Sequence, residues 1–141
     1  MIVFFDTSAL VKRYVSEASS SAVLALWTTS SVLAVSQILY AEITAAFARR
    51  RRESPSSAQV LDDAQRVFKG DWETLRRIAV DDEVNQRVDS LLRRYPLRGA
   101  DSIHLASALL LRDLLQSDVT FACADGALVA AAKQEGLLTS L

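Results

Sequence analysis

Residues 1–17 read MIVFFDTSALVKRYVSE, and everything later in the chain depends on how the first six are taken. Ile2–Phe5 is an unbroken apolar run of β-branched and aromatic residues. Such a run predicts a strand buried on both faces, as in parallel sheets. Asp6 stops it, and Thr7 and Ser8 can cap a helix running to about Tyr14. As a turn former or helix cap, Asp6 needs no function. At the carboxyl end of a parallel strand it also stands where α/β folds keep their chemistry.

The pattern repeats along the chain. Ser19–Thr29 predicts a helix with Val23, Leu24 and Trp27 on one side, and Val32–Ser36 a second strand. Gln37–Glu53 is strongly helical, its stripe being Leu39, Ile43, Ala46, Phe47 and the stem of Arg50. Ser54-Pro55 opens another helix, running to about Lys69, with Gly70 as a stop. Ile78–Val80 is a short third strand. Asp81–Tyr95 carries acids in its first turn and Arg93-Arg94 in its last, matching the helix dipole, and Pro96 ends it. Asp101–Leu115 is a helix with a broad apolar face, Val119–Cys123 a strand, and Asp125–Glu135 an alanine-rich helix stopped by Gly136. Leu137–Leu141 is a last short strand. Strands separated by helices, without hairpin signals, predict an α/β sandwich around a mostly parallel sheet.

Composition narrows the function classes. The 141 residues suit one domain, 1–141, and 50% hydrophobic against 23% charged residues supplies a core and argues against disorder. The net charge of −1 gives no global basic field, so a nucleic-acid site has to be a local patch. One cysteine, Cys123, excludes an internal disulfide and suits a reducing, cytoplasmic setting. No stretch has the roughly 18 apolar residues of a membrane span. Met1–Phe5 lacks the length and basic lead of a signal peptide.

Four acids stand out. Asp6 and Asp125 each follow a strand, whereas Asp118 precedes one and lies at the opposite edge. Each of the pair also reads as a cap. Glu42 sits among apolar helical neighbours, where a carboxylate needs a pairing cation or a metal. Its other readings are a partly exposed acid at the border of the stripe, or a partner for Arg49 or Arg50 elsewhere in space. Asp101 opens an apolar helix, as a cap or as a functional acid. His104, three residues on, reads as a core residue. One histidine and one cysteine make a poor zinc set, whereas a carboxylate cluster suits Mg²⁺ or Mn²⁺.

The segments FFDTSALVKRYVSE, ILYAEITAAFAR, LRGADSIHLASALLL and VTFACADGALVAAAKQEGL, in that order, resemble the four signature segments of PIN-domain ribonucleases. More narrowly they resemble VapC-type toxins of toxin–antitoxin pairs. The resemblance implies a three-layer α/β/α fold with a central parallel sheet of four to five strands. It implies that Asp6, Glu42, Asp101 and Asp125 form an acidic quartet around Mg²⁺ or Mn²⁺, with Thr7 and Ser8 as supporting hydroxyls. Relatives often have Thr or Ser where Cys123 stands, so a hydroxyl role is lost there.

The implied activity is metal-dependent endoribonuclease action that leaves a 5′-phosphate and a 3′-hydroxyl. The implied partners are an RNA substrate, a VapB-like antitoxin and a second copy in a homodimer. Lys12, Arg13, Arg98 and the run Arg49, Arg50, Arg51 and Arg52 are candidates to hold RNA phosphates. For the run, dipole complementation and solubility stand as the other reading. An aspartyl phosphatase is the weaker rival, since Ser8 stands where its second acid belongs. A non-catalytic α/β module, or a decayed site, is the other.

Overall fold

A computed structural model describes residues 1–141. The elements in chain order are β1 (Ile2–Phe5), α1 (Thr7–Tyr14), α2 (Ser20–Thr29), β2 (Val32–Ser36) and α3 (Leu39–Glu53). A 3₁₀ turn (Pro55–Ser57) then leads into α4 (Ala58–Trp72), β3 (Arg76–Ile78), α5 (Asp82–Arg94) and α6 (Gly99–Leu115). The chain ends with β4 (Thr120–Ala122), α7 (Gly126–Gln134) and β5 (Leu138–Ser140).

The five strands form one parallel sheet in the order β3-β2-β1-β4-β5. Alternation along β1 explains why its run is wholly apolar. Val3 and Phe5 point into a core shared with α1–α4, and Phe4 into a second core under α5–α7. Each face of the sheet is therefore covered, which gives the three layers. The first core is aromatic: Phe47, Phe68 and Trp72 meet Tyr14 and Tyr40 with ring centroids 5.1–6.3 Å apart. The second is mostly aliphatic, built on the buried stretch His104–Leu111 of α6.

The strand order places the switch in direction between β1 and β4. Connections leave these neighbours toward opposite sides of the sheet, opening a crevice at their carboxyl ends. Asp6 follows β1 and Asp125 follows β4, so both stand at that crevice.

Several boundaries differ from the sequence reading. β3 is Arg76–Ile78 rather than Ile78–Val80. It pairs on one side only, with β2, and its two exposed arginines suit an edge strand. A charged pair like that carries no alternation signal. Gly70 does not stop α4, which continues to bury Trp72. On α2, Leu24 is exposed, and Leu26 and Trp27 join Val23 against the core. Gly136, at φ +85°, turns the chain from α7 into β5 as expected. Most relevant to the site, α6 begins at Gly99, so Asp101 lies inside its first turn and is not its cap.

Candidate metal centre

A cleft at the carboxyl edge of the sheet is lined by Asp6, Thr7, Ser8, Glu42, Asp101, His104 and Asp125, with Arg49 and Arg98 among its remaining walls. The four acids arrive from four elements. The β1–α1 junction brings Asp6, α3 brings Glu42, α6 brings Asp101 and the β4–α7 junction brings Asp125. The fold thus draws together residues 119 positions apart in sequence.

Asp6 is the most buried, at 4% exposure. Its Oδ1 caps α1 by accepting from the Ala9 amide at 3.0 Å, so the cap and cleft readings both hold for it. Ser8 Oγ donates to Oδ1 at 2.7 Å, and the Cys123 thiol contacts Oδ2 at 3.2 Å. Burial pushes the Asp6 carboxyl up, and the bonds from Ser8, Cys123 and Ala9 together with the charge of His104 offset only part of that rise.

Glu42 Oε1 accepts from Thr7 Oγ1 at 2.8 Å and meets His104 Nε2 at 2.5 Å. Its partner is therefore His104 and not Arg49 or Arg50. Burial works to raise the Glu42 carboxyl, but the bond and charge of His104, with Thr7 and Arg98, hold it below the usual range. Asp101 is contacted by Arg98 Nε at 3.1 Å. Asp125 accepts from the Leu128 amide at 3.0 Å and caps α7 while lining the cleft.

Two residues do more than the sequence reading assigned them. His104 is buried and packs in α6, yet its Nε2 faces Glu42 and lies 3.4 Å from Thr7 Oγ1. The available signal was its helical offset of three from Asp101, which places both on one face. Cys123 keeps a place in the network despite having no hydroxyl. It contacts Asp6 and accepts from the Asp125 amide at 3.3 Å. Burial, with the charge of Asp6, pushes its thiol up to about 12, so it stays protonated.

The basic candidates divide. Arg49 and Arg98 line the cleft. Lys12 is spent on the Ala18 carbonyl and Glu17, and Arg13 on Asp71, with its guanidinium 4.0 Å from the Trp27 ring. Arg50 pairs with Glu17, and Arg51 with Asp62 and Gln65. Arg52 is exposed at the end of α3 and outside the cleft lining.

The cleft offers oxygen donors in the form that hard cations prefer. As the side chains stand, no three of the chain's His, Cys, Asp or Glu groups are gathered closely enough to cage an ion. Each acid is instead engaged by its own neighbour. The donor set therefore fits Mg²⁺ or Mn²⁺ in chemistry.

The PIN domain model matches residues 3–127, and the chain belongs to the PIN-domain family. It is 38% identical over 112 residues to Ribonuclease VapC45 of Mycobacterium tuberculosis, covering 79% of this chain and 78% of that one. Among solved structures, VapBC2 from Rickettsia felis, bound to a DNA fragment from its promoter, superposes with a TM-score of 0.67 at 16% identity, covering 99% and 98% of the two chains. Mycobacterium tuberculosis VapC20, a sarcin-ricin loop cleaving toxin, gives 0.63 at 16% identity over 92% and 94%. These two likenesses confirm the fold predicted from the four segments.

Proposed function

We propose that the chain is a metal-dependent endoribonuclease and the toxin of a VapBC-type pair, acting in the cytoplasm on RNA. The observation that carries this is the convergence of Asp6, Glu42, Asp101 and Asp125 on one cleft at the sheet's switch point. The ribonuclease name of the 38% identical relative supports the reaction. The VapBC2 structure supports an antitoxin partner.

The four carboxylates would hold Mg²⁺ or Mn²⁺. Such an ion, when bound, supplies positive charge to the scissile phosphate and makes a water more acidic. The chain's own residues do the positioning. Ser8 and Cys123 fix the rotamer of Asp6, and Thr7 and His104 fix that of Glu42. Arg49 and Arg98 offer guanidinium groups to flanking phosphates, which an acidic cleft needs in order to receive a polyanion. Direct hydrolysis suits this set, since the protonated, buried Cys123 is no nucleophile. Exposed Leu24 on α2, with Val60 and Val67 on α4, supplies apolar surface for an antitoxin or a second copy.

The test is cleavage of a structured RNA with Mg²⁺ or Mn²⁺ and with EDTA. Asp6→Asn and Asp101→Asn are each expected to lower the rate by about 100-fold or more. Equal cleavage by wild type and both variants overturns the assignment.

A further inference from the structure

The cleft already contains a cation of its own. Arg98 occupies the N-cap position of α6, where its side chain makes no capping bond, and it reaches three residues forward to Asp101. The two ends of this ion pair are unlike. The Arg98 side chain is 82% exposed and that of Asp101 only 15%. A largely buried acid is thus covered by an exposed arm, and an ion pair with so exposed a partner at this spacing contributes little stability, so it is cheaply broken.

More than one acid acts on the arm. Asp101 holds the guanidinium in its charged form by hydrogen bond and charge, and Asp125 and Glu42 add to the effect. Three of the four cleft acids therefore attract one arginine. Arg49, the other arginine of the cleft, takes part in no hydrogen bond or ion pair, so cleft lining alone does not produce the contact.

We propose that Arg98 is an exchangeable counter-ion, which covers Asp101 in the metal-free protein, yields that carboxylate to a divalent cation, and carries its own charge to a phosphate of bound RNA. This rests on reading the cleft as a metal-dependent RNA-cleaving centre. Asp101 cannot give its full charge to a divalent ion while a guanidinium holds it, so the two cations compete. A released guanidinium at the cleft lip has the fork geometry that phosphate accepts. RNA that holds Arg98 removes the competitor and tightens metal binding, and by linkage the metal tightens RNA equally. Arg98 is thus a positioning residue that makes the two ligands cooperative.

The experiment is Mn²⁺ binding to the full chain by calorimetry, without RNA, for wild type, Arg98→Gln and Arg98→Lys. Arg98→Gln is expected to bind Mn²⁺ on the order of fivefold tighter. Arg98→Lys, which keeps the charge, is expected to stay near wild type. In EDTA, fluorescence anisotropy with a labelled RNA is expected to show weaker binding by Arg98→Gln, with a salt slope shallower by about one. Mn²⁺ affinity that is unchanged or weaker in Arg98→Gln overturns the exchange, as does an unchanged RNA salt slope. Wild type that binds no Mn²⁺ at all overturns the metal-centre reading beneath it.

Discussion

Two carboxylates sit inside this protein under opposite arrangements. Asp71, near the end of α4, accepts from Arg13 Nε at 2.8 Å and from the Tyr14 hydroxyl at 2.9 Å. Burial lowers the Arg13 pKa, and the bond and charge of Asp71 more than restore it. The Tyr14 phenol is driven well up by burial and by the same acid, so it remains a donor. Every charge there has its opposite. Asp6 is more deeply buried, and its direct donors are all neutral: Ser8, Cys123 and the Ala9 amide. Matched charge at Asp71 ties α1 to α4. Charge left to neutral donors at Asp6 costs stability and leaves the carboxylate open to a cation.

Exchanging the carboxylates tests this contrast most strongly. Asp6→Asn removes the charge and keeps an oxygen to cap α1. Besides losing cleavage, it is expected to melt a few degrees above wild type in EDTA at neutral pH. The sign follows from the raised pKa of Asp6 in the folded state. Its protonated form contributes stability that is full below the ordinary carboxylate range and is lost as pH rises through the folded value. The advantage of Asp6→Asn should therefore open with rising pH, and saturating Mg²⁺ should stabilise wild type alone. Asp71→Ala is the converse, leaving a half-buried Arg13 unpaired at a cost of about 2 kcal/mol. Urea unfolding measures that loss, and cleavage per folded molecule should not change. An Asp6→Asn protein less stable than wild type in EDTA would remove the distinction between the two acids.

The same contrast explains what was legible in the sequence. β1 was readable because burial on both faces leaves an unbroken apolar run, and Asp6 ends it abruptly. The stripe of α3 exposed Glu42 as an acid out of place between Leu39 and Ile43. β3 was misplaced because an edge strand with two arginines has no apolar period. Asp101 carries a cap reading beside its reading as a functional acid because helix starts are set by backbone geometry, and Arg98 at the true cap is an uncommon residue there. The arginines could not be sorted at all. Arg13 and Arg98 look alike in sequence, and only tertiary placement gives one to Asp71 and the other to the cleft. The His104–Glu42 contact spans 62 residues, beyond any local pattern.

The run Arg49–Arg52 extends the contrast to weaker interactions. Arg50 and Arg51 are matched to Glu17 and to Asp62, and Arg49 faces the cleft unpaired. Arg49→Gln is expected to weaken RNA binding several-fold and to lower the salt slope by about one, with stability unchanged. Arg51→Gln is expected to do the reverse, costing about 0.5 kcal/mol in stability and leaving the RNA salt slope alone. Binding titrations at three salt concentrations separate the two. Equal slopes for both variants would mean that the run acts as a diffuse field.

Cys123 should show the smallest effect, because its part at Asp6 is geometric and not ionic. A thiol pushed up to about 12 donates at any working pH, as a serine hydroxyl does. Cys123→Ser should therefore keep cleavage within about threefold of wild type, with an unchanged pH profile. Cys123→Ala removes the contact to Asp6 Oδ2 and leaves Ser8 and the Ala9 amide to hold that carboxylate, so it should lose more. Iodoacetamide provides an independent check, since a buried, protonated thiol is expected to react only on unfolding. Rapid labelling of the native protein, with activity lost in step, would place a thiolate in the cleft and give Asp6 a charged neighbour. Slow labelling, with serine tolerated and alanine impaired, would instead identify Cys123 as a neutral prop that holds Asp6 in place.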